Sequence, residues 1–554
     1  MPNNESLSLT AQKIFNLKYA RTIKDGEKET WEQAVARISQ HVASVEQDED
    51  TQLATMGQFY RVMYEKSFLP GGRVIANAGT NVENLMNCFV LPIQDSRQSI
   101  YKTLKDAAEV FAWGGGVGYN FSNLRAEGEE VSTTGGSASG PISFMGLYDQ
   151  TGEVISQASR RGAQMGILNI DHPDIEKFIN LKNKLNSKNS LLMDEFVRNQ
   201  GDKDDGGYTL GVLHKVLADA QLTHFNLSVA ITDKYMAEED YTLLEQIAEN
   251  AWKNGDPGLY FIDRANSDNM VPYLGSLDAT NPCGEVPMLP YEACCLGSLN
   301  LASFNDGKFF DLEYLRSVIR VAVRFLDNIH TLNYTLVPEI NEATKATRRL
   351  GLGVMGLADV LADQHLPYDS DEAEEFANNL AYFIGRESWI CSMELAQERG
   401  AFDAYDEEKI NWTLIDKFDL DRRPVRNVAV TSIAPTGTIA LLSDVNSGIE
   451  PFFAHSYRRN ITEGVGNVAK DTIEQIAFSD TVKTAHDISW KKHIAMQAVW
   501  QEQVDNAVSK TINMSNDATK DDIMEAYIDA WHLGLKGVTV YRDGSKLFQI
   551  LERK

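Results

Sequence analysis

Cysteine, basic charge and long apolar runs are all scarce in this sequence. Only five cysteines occur among 554 residues, and no two of them have Cys-x-x-Cys spacing. A secreted disulfide scaffold and a structural zinc site are therefore poorly supported, and no metal site is predicted. No stretch approaches about 18 uninterrupted apolar residues, and the N-terminus lacks the basic start and apolar core of a signal peptide. We therefore expect a cytoplasmic protein without a transmembrane helix.

The charge balance narrows the class of ligand. Asp and Glu number 79 against 52 Lys and Arg, which gives a formal net charge of −27. A protein that binds the phosphate backbone of a nucleic acid needs a basic surface, which this acidic chain is not expected to have. Neither a nucleic-acid partner nor a membrane is therefore expected. A small nucleotide can still bind where backbone amides and a few cations dominate locally.

The periodicity of apolar residues divides the chain into two regions. Residues 1–75 carry three stretches with apolar residues at three- and four-residue spacing, which predicts a small helical region that ends near Pro70-Gly71-Gly72. From 76 to 554, predicted strands at 225–233, 428–437 and 537–544 alternate with long amphipathic helices. That alternation predicts an α/β barrel or a doubly wound sheet. A polar stretch at about 181–222 reads as a surface insertion.

The segment with the most chemical content is Asn281-Pro282-Cys283-Gly284-Glu285. Proline fixes one backbone angle and glycine permits an unusual one, so the cysteine is predicted at the tip of a tight loop. An amide and a carboxylate stand two residues to either side, where an extended segment would point them the same way as the thiol. As an isolated pattern this is a weak signal for a reactive sulfur beside a base.

The wider sequence resembles the catalytic subunit of ribonucleotide reductases. NPCGE is followed, eleven residues after its cysteine, by a second cysteine in PYEACCLGSLNL. Other motifs occur in the order found in that family and cover most of the chain from 65 to 546: FLPGGRVIANAG, NCFVLP, WGGGVGYNFSNLR, STTGGSASGPISFM, RRGAQMGIL, RRLGLGVMG, APTGTIA, SGIEP, KTINMSNDAT and GVTVYRDGSK.

The resemblance implies a fold and a reaction. The fold would be a ten-stranded α/β barrel of two five-stranded halves, with the NPCGE finger loop threading its centre. Cys283 would carry a thiyl radical that removes the hydrogen atom at C3′ of a ribonucleotide. Glu285 would act as general base on the 3′-OH, and Asn281 would hold the ribose.

The resemblance also assigns the remaining cysteines. Cys88 would supply the proton and reducing equivalent at the 2′ position, and one turnover would leave a Cys88–Cys294 disulfide. Cys295 has no assigned role, and because neighbouring side chains of a strand point to opposite faces, only one of Cys294 and Cys295 should face the site. Cys391 reads as an ordinary core residue.

Two further loops are implied to bind substrate. Thr436, Gly437, Thr438 and Ile439, in APTGTIA, would cradle its phosphates, and Ser139 and Gly140 would contact it from STTGGSASGP. The cradle lacks a Walker lysine, so ATP hydrolysis is not indicated. WGGGVG does not match a dinucleotide-binding fingerprint and is interpreted as backbone that approaches substrate or cofactor closely.

Regulatory and assembly features follow from the same resemblance. Arg160, Arg161 and Gln164 would lie in a loop that reads a deoxynucleotide or ATP specificity effector. The helix SFMGLYDQTGEVISQ would pack at the interface of a homodimer.

The source of the radical separates the classes within the family. Adjacent tyrosines near GVTVYRDGSK are typical of the class that needs a separate metal-radical subunit, whereas here Tyr541 stands alone before Arg542. No glycyl-radical loop is visible. GGGVGYNFSNLR and TVYRDGSK are most similar to the adenosylcobalamin-dependent class, so adenosylcobalamin is the expected cofactor and diphosphates the expected substrates. The alternatives are a metal-radical catalytic subunit and a catalytically silent nucleotide-binding regulator.

The two ends of the chain carry expectations about recycling and control. The sequence finishes at LFQILERK without the cysteine pair that re-reduces the disulfide in relatives. We therefore expect either a shortened chain, a pair on another chain, or a thioredoxin-like thiol protein that acts directly. The short N-terminal region leaves no room for a nucleotide-sensing cone, so no dATP off-switch of that kind is expected.

Overall fold

The computed structural model describes residues 7–23, 26–132, 135–157, 160–182, 222, 224–462, 469–476, 482–545 and 551–553. Most of the predicted insertion at 181–222 lies outside these residues. Among the helices that are described, none combines the length and the apolar character needed to cross a membrane.

Three capped helices open the chain: α1 (Leu9–Lys18), α2 (Trp31–Ala43) and α3 (Glu49–Tyr64). The Ser8 side chain accepts from the α1 backbone, Thr30 forms a capping box on α2, and the Asp48 side chain caps α3. Each cap satisfies amide groups that have no partner within the helix, which fixes where the helices begin. The helices match the periodicity read from the sequence.

Among the residues that the structure describes, ten strands form one large sheet. They are β1 (Phe68–Pro70), β2 (Cys88–Val90), β3 (Gly116–Asn120), β4 (Gln164–Asn169), β5 (Phe225–Ile231), β6 (Gly258–Phe261), β7 (Ala293–Asn300), β8 (Leu350–Met355), β9 (Thr511–Met514) and β10 (Gly537–Arg542). The order across the sheet is β1-β7-β2-β3-β4-β5-β6-β10-β9, and β8 pairs with β7.

The sheet consists of two parallel halves that run in opposite directions. Strands β2 to β6 are parallel to one another, as are β7 with β8 and β9 with β10. The junctions β7–β2 and β6–β10 are antiparallel. Single bridges from Leu352 to Thr431 and from Ile433 to Val508 continue the second half from β8 towards β9. The prediction of an α/β barrel in two halves is confirmed.

The segment at 428–437 was predicted as a regular strand, and that prediction is wrong. Only Thr431 and Ile433 make bridges. The carboxylate of Asp505 accepts from the backbone amides of Val430 and Thr431, at 2.9 and 3.0 Å. These amides are therefore not available to a neighbouring strand, which explains why the segment stays extended but irregular.

The remaining helices cover the barrel or connect its strands. They are α4 (Gly72–Asn77), α5 (Arg97–Ala112), α6 (Gly140–Val154), α7 (Ile175–Ile179), α8 (Asp233–Ala237), α9 (Thr242–Asn254), α10 (Ile262–Ser267), α11 (Leu312–Leu332), α12 (Pro338–Thr347), α13 (Leu357–Asp363), α14 (Asp371–Arg399), α15 (Thr413–Asp416), α16 (Gly437–Leu442), α17 (Trp490–Gln503) and α18 (Lys520–His532). Short 3-10 turns occupy Pro272–Leu274 and Leu301–Phe304. The predicted region boundary at 75 falls inside α4.

Short strand pairs lie outside the large sheet. They are Glu130–Val131 with Gly136–Ser137, Ser156–Gln157 with Arg160–Arg161, Ala279–Thr280 with Pro287–Met288, and Ser456–Thr462 with Ala469–Ile476 and Leu551–Arg553.

A buried ionic cluster, centred on Asp327 of α11, joins the N-terminal helices to the barrel. The fully buried carboxylate of Asp327 lies 2.7 Å from Arg348 and 3.2 Å from Arg399. Arg399 also contacts Glu46, which follows α2, at 2.6 Å. Burial alone would raise the pKa of Asp327, but the surrounding guanidinium groups, Arg348 first, hold it below its usual value.

Candidate active site

The loop at 281–286 is carried into the barrel by the small hairpin of Ala279–Thr280 and Pro287–Met288. Gly284 has a φ of +80°, and its amide donates to the Asn281 carbonyl at 3.0 Å, which closes a tight turn around Cys283. Asn226 of β5 donates from its side chain to the Pro282 carbonyl at 2.8 Å and so fixes the loop to the barrel wall.

The glycines of WGGGVG make room for this loop. A Cβ atom on Gly118 would lie 1.6 Å from the Thr280 carbonyl oxygen, and one on Gly116 would lie 2.8 Å from the Pro282 ring. No side chain fits at that distance. We interpreted this run as backbone that approaches a ligand; at Gly116 and Gly118, however, what approaches is the finger loop itself.

Cys283 faces an internal cavity. Its side chain is exposed, and it helps to line a cavity of about 300 Å3 bounded by β5, β6 and the segments that lead into β9 and β10. The sulfur is accessible to a small molecule through the cavity. The loop tip nevertheless projects into the barrel, so many protein atoms surround the sulfur and keep bulk water away from it. This desolvation, and secondarily the charge of Glu285, raises the pKa of the Cys283 thiol.

Cys88 and Cys294 are directly opposite one another across the antiparallel junction of β2 and β7. Such partners have Cα atoms about 4.5–5.5 Å apart, within the range that a disulfide spans. Both thiols are buried and unbonded, and burial, assisted by neighbouring acidic groups, raises the pKa of each. The side-chain amide of Asn281 donates to the Cys88 sulfur at 3.0 Å and connects the pair to the finger loop.

Cys294 and Cys295 point to opposite faces of β7. Cys294 packs in the small inner cluster with Cys88, Met165, Tyr260 and Val286. Cys295 packs in the large core instead, where β7 is parallel to β8. This is the alternation expected of a strand, and it brings only Cys294 to the side of Cys88. Cys391 is buried in α14.

Glu285 is a buried carboxylate with a raised pKa. Its backbone carbonyl accepts from the Ala507 amide and the Ser432 hydroxyl, both at 2.8 Å. Its Oε2 atom has no hydrogen-bond partner among the described residues. Burial raises the pKa of Glu285 to about 7, against a smaller opposing effect of the Asn281 side chain. A carboxyl group with that pKa can take up and release a proton near neutral pH.

The four residues from APTGTIA surround the start of α16. Thr436 has a φ of +52°, and its hydroxyl accepts from the Gly448 amide at 2.8 Å. The Thr438 hydroxyl is hydrogen-bonded to the Tyr19 hydroxyl of the N-terminal region. Gly437 begins the helix and Ile439 is buried. Both threonine hydroxyls therefore have partners within the protein, and the adjacent Pro435 lines the cavity at Cys283.

The other predicted ligand contacts lie around α6. Ser139 precedes α6 and is exposed, whereas Gly140 is packed so that a Cβ would lie 2.9 Å from Glu127. Gln164 is fully buried and donates to the Tyr148 carbonyl of α6 at 3.0 Å. The backbone of Arg160 and Arg161 pairs with Ser156–Gln157. The side chains of these two arginines lie outside what the structure describes.

Sequence reasoning missed a charged pair beside the cavity, in which the lysine is fully buried and the glutamate is partly exposed. Glu450 and Lys510 both line it, and the Lys510 ammonium lies 2.7 Å from the Glu450 carboxylate. The two residues occur in SGIEP and KTINMSNDAT, two of the motifs that carry the family resemblance. They are 60 positions apart, and no local pattern indicates that they meet.

The chain belongs to the ribonucleotide reductase family. Residues 5–83 match the family described as the ribonucleotide reductase all-alpha domain, and 86–241 with 239–541 match the ribonucleotide reductase barrel domain. The chain is 38% identical to a vitamin B12-dependent ribonucleoside-diphosphate reductase of Thermoplasma acidophilum, over 90% of the chain and 66% of that relative. For the Mycobacterium tuberculosis protein of the same name the values are 38%, 89% and 73%.

A relative named for a different subunit organisation is more distant. The ribonucleoside-diphosphate reductase subunit alpha of Chlamydia pneumoniae is 27% identical over 73% of this chain and 44% of that relative. The chain thus spans about two thirds of the length of the Thermoplasma acidophilum relative and less than half of the Chlamydia pneumoniae one.

Proposed function

We propose that this protein reduces ribonucleotides, as diphosphates, to 2′-deoxyribonucleotides by thiyl-radical chemistry with adenosylcobalamin as cofactor. The observation that supports this most is that five side chains come together at the finger loop. Cys283 and Glu285 lie on the finger loop, and its Asn281 contacts Cys88, the cross-strand partner of Cys294.

Once the radical is on Cys283, the steps at the sugar can be written with these residues. The Cys283 thiyl radical takes the hydrogen atom from C3′, Glu285 accepts the 3′-OH proton, and the 2′-OH leaves as water with a proton from Cys88. The Cys88–Cys294 pair then delivers a hydrogen atom to C2′ and one further electron to the sugar as it becomes a disulfide, and Glu285 returns its proton to the 3′ oxygen. Cys283 then returns the hydrogen atom to C3′, so the net change is one ribonucleotide and two thiols to one deoxyribonucleotide, one disulfide and water.

We expect the cofactor to approach Cys283 from the side of this cavity, which lies away from the thiol pair. Among the described residues, its lining includes Cys283 and Pro435 but neither Cys88, Cys294 nor Glu285. Adenosylcobalamin supplies, when bound, the one-electron chemistry that removes a hydrogen atom from a thiol. The residues of the finger loop would present the Cys283 sulfur to it while the other face of the loop holds the substrate.

The remaining expectations are part of the same proposal. The residues 436–439 with Ser139 and Gly140 would contact substrate, and the loop containing Arg160, Arg161 and Gln164 would respond to a nucleotide effector. A homodimer through α6 is supported by the exposed side chains of Leu147 and Val154 on that helix. The reductant would be a thioredoxin-like or separate-chain thiol.

A direct assay tests the proposal. The purified chain, a ribonucleoside diphosphate, an effector nucleotide, a dithiol and adenosylcobalamin should together yield the deoxynucleotide. Product that forms only after a metal-radical subunit is added would favour the alternative class. No product under either condition, with nucleotide still bound, would favour a silent regulator.

Turnover should rise with pH through about 7, because Glu285 has a pKa of about 7 and works as a base only when deprotonated. Below that pH, kcat should fall about tenfold per pH unit, since the fraction of carboxylate falls in that proportion. Glu285→Gln should lower kcat by about 10²- to 10⁴-fold and abolish this acidic limb. The measurement is a pH profile of both proteins under substrate saturation. An unchanged profile in the Gln variant would assign the limb to another group.

Cys294 and Cys295 should behave oppositely on substitution. Cys294→Ser should reduce single-turnover product by at least about a hundredfold, because the cross-strand partner of Cys88 is lost and no disulfide can form. Cys295→Ser, which alters a residue of the large core, should leave single turnover within about twofold. Alkylation after one turnover without dithiol should label three of the five cysteines in the wild type. Equal losses in the two variants would contradict the assignment.

A further inference from the structure

A buried ion pair that the reaction described above does not use lies beside the thiol pair. The Nε atom of Arg349 lies 3.0 Å from Glu292 Oε2, and the two side chains are 5% and 0% exposed. Moving two charges out of water often costs more than their attraction returns, so a buried ion pair is weak evidence of a stabilising role. Its position relative to Cys294 is therefore informative.

The strand register sets Arg349 beside Cys294. Strands β7 and β8 are parallel, and their register pairs Cys295 with Leu350, both of which pack in the large core. One residue earlier, the same register sets Cys294 beside Arg349 on the opposite, inner face, with the two strands about 4.8 Å apart. Gly351 follows Arg349 by two residues and so shares its face. A Cβ atom on Gly351 would lie 3.4 Å from Cys294 Sγ, which agrees with this placement.

The ion pair is held in place but is not saturated with hydrogen bonds. Asn506 accepts from Arg349 Nη1 at 3.0 Å, and the Leu289 amide donates to Glu292 Oε2 at 2.8 Å. Glu292 Oε1 and Arg349 Nε are both buried without a hydrogen-bond partner among the described residues. Such atoms are rare in folded proteins, and a catalytic or redox role is one of the usual reasons for them.

The charge of Arg349 acts on Cys294. Burial is the main reason why the pKa of the Cys294 thiol lies well above its usual value, and the Cys295 thiol adds to the rise. The guanidinium of Arg349 opposes it, and its effect is larger than that of Glu292, which acts in the other direction. A negative charge on the Cys294 sulfur is therefore stabilised by Arg349 and disfavoured by Glu292.

Such a charge arises on Cys294 when the disulfide is reduced again. Cys88 is 5% exposed and Cys294 is 0% exposed, so the thiolate of a dithiol reaches the Cys88 sulfur. A bond from the dithiol to Cys88 forms, the Cys88–Cys294 bond breaks, and its electron pair stays on Cys294. The second thiol of the reductant then attacks the mixed disulfide and releases Cys88. The two protons that the dithiol gives up end on Cys88 and Cys294, so one dithiol is oxidised and one protein disulfide is reduced.

We infer that Arg349 stabilises the Cys294 thiolate as it leaves, and thereby speeds the reduction of the Cys88–Cys294 disulfide by a dithiol. The inference rests on the proposed function, in which that disulfide forms once per turnover. Arg349 is a positioning residue, because it acts on the reductant only through Cys294. Glu292 and Asn506 hold the guanidinium in place, and Glu292 also limits the effect of its charge.

Reduction of a preformed disulfide tests this without turnover. The full chain is oxidised with diamide, and mass spectrometry of its peptides identifies the link between Cys88 and Cys294. Dithiothreitol is then added, and the thiols that appear are trapped with N-ethylmaleimide at timed intervals. Arg349→Met should be reduced about tenfold more slowly than the wild type, because a thiolate without its counter-charge is a poorer leaving group. Arg349→Lys keeps a cation and should stay within about threefold of the wild type.

Glu292→Gln should change the rate in the opposite direction. Without the carboxylate the charge of Arg349 is unopposed, so reduction should be about threefold faster than in the wild type. A purely structural role of the pair predicts no such change of sign. This variant also decides the matter if Arg349→Met does not fold. Slower reduction of Glu292→Gln, or a wild-type rate in Arg349→Met, would overturn the inference.

A neutral reductant separates the leaving sulfur from the approach of the reagent. A neutral trialkylphosphine also attacks Cys88, and with one water molecule it yields two protein thiols and a phosphine oxide. No anion approaches the protein in this reaction, so the tenfold loss in Arg349→Met should persist. A loss with dithiothreitol but not with the phosphine would mean that Arg349 attracts the incoming thiolate, which contradicts the inference.

Arg348→Met is the matched control. Arg348 precedes Arg349 in the chain, and its pair with Asp327 has the same exposures, 5% and 0%. Asp327 keeps Arg399 and Arg426 as partners when Arg348 is lost. This variant should lose stability and keep the wild-type rate of disulfide reduction. Equal slowing in the two arginine variants would show that the loss of any buried cation suffices, and would refute a specific role of Arg349.

The outcomes separate this inference from the function on which it rests. If reduction depends on Arg349 but no deoxynucleotide forms with adenosylcobalamin, the proposed function fails and the role of Arg349 stands. If product forms while the wild type and Arg349→Met are reduced at the same rate, the function stands and the role of Arg349 fails. If no link between Cys88 and Cys294 forms on oxidation or after turnover, both fail.

Discussion

Cys283→Ser should abolish deoxynucleotide formation, with a loss of at least about a thousandfold in kcat, while nucleotide binding and the thermal midpoint of unfolding stay close to wild type. The substitution replaces one atom at a loop tip that faces a cavity, so little packing is lost. A hydroxyl, however, holds its hydrogen atom more tightly than a thiol does and cannot take the radical role.

The matched comparison is Cys391→Ser. Cys391 is also a free cysteine, but it is buried in the large core, its sulfur contacts the Arg320 carbonyl, and it does not line the cavity at Cys283. That variant should lose some stability and keep its turnover per folded molecule. A Cys283→Ser protein with full turnover would remove the thiyl chemistry from the proposal altogether.

Asp327→Asn should lower the free energy of unfolding by about 3–5 kcal/mol, the usual cost of removing one partner from a buried ion pair. Asp327 is fully buried, and the guanidinium groups of Arg348, Arg399 and Arg426 converge on it within 3.5 Å. Without its charge these three cations repel one another around a fully buried side chain. Urea denaturation monitored by circular dichroism gives the change.

Asp416→Asn provides the control for that experiment. Asp416 pairs with Arg422 at 2.6 Å, which is as short as the buried contacts, but the two side chains are 44% and 59% exposed. Exposed pairs contribute about 0–1 kcal/mol, so this variant should unfold close to the wild-type denaturant concentration. If the two variants had equal effects, burial would not be what makes the Asp327 cluster important.

Much of the fold could be predicted because its elements are long and strongly patterned. The helix Leu312–Leu332 and the strands Phe225–Ile231 and Gly537–Arg542 match the periods read from the sequence. The segment at 428–437 could not be predicted, since the side chain that takes two of its amides, Asp505, is more than seventy positions away. A periodic pattern carries no information about such a competitor for backbone hydrogen bonds.

The site shows the same division. NPCGE is local, and its turn follows from proline and glycine chemistry. The facing of Cys88 and Cys294, which are 206 positions apart in the sequence, arises only where the two barrel halves meet in antiparallel fashion. The resemblance to a family predicted that pairing. The position of the Glu450 carboxylate at the cavity, by contrast, could be recognised only in the assembled barrel.

The hydroxyl contact between Tyr19 and Thr438 joins the N-terminal region to the barrel, so the two cannot be separated without losing this contact. Ser8 also donates to Asp444 at 2.5 Å, and Lys66 lies 3.8 Å from the same carboxylate. Three residues of the N-terminal region therefore contact the stretch that begins with APTGTIA. The N-terminal region thus stabilises the position of this stretch of the barrel domain. A barrel expressed from about residue 86 onward would keep all five cysteines, yet it would lack the side chains of Ser8, Tyr19 and Lys66 that contact this stretch.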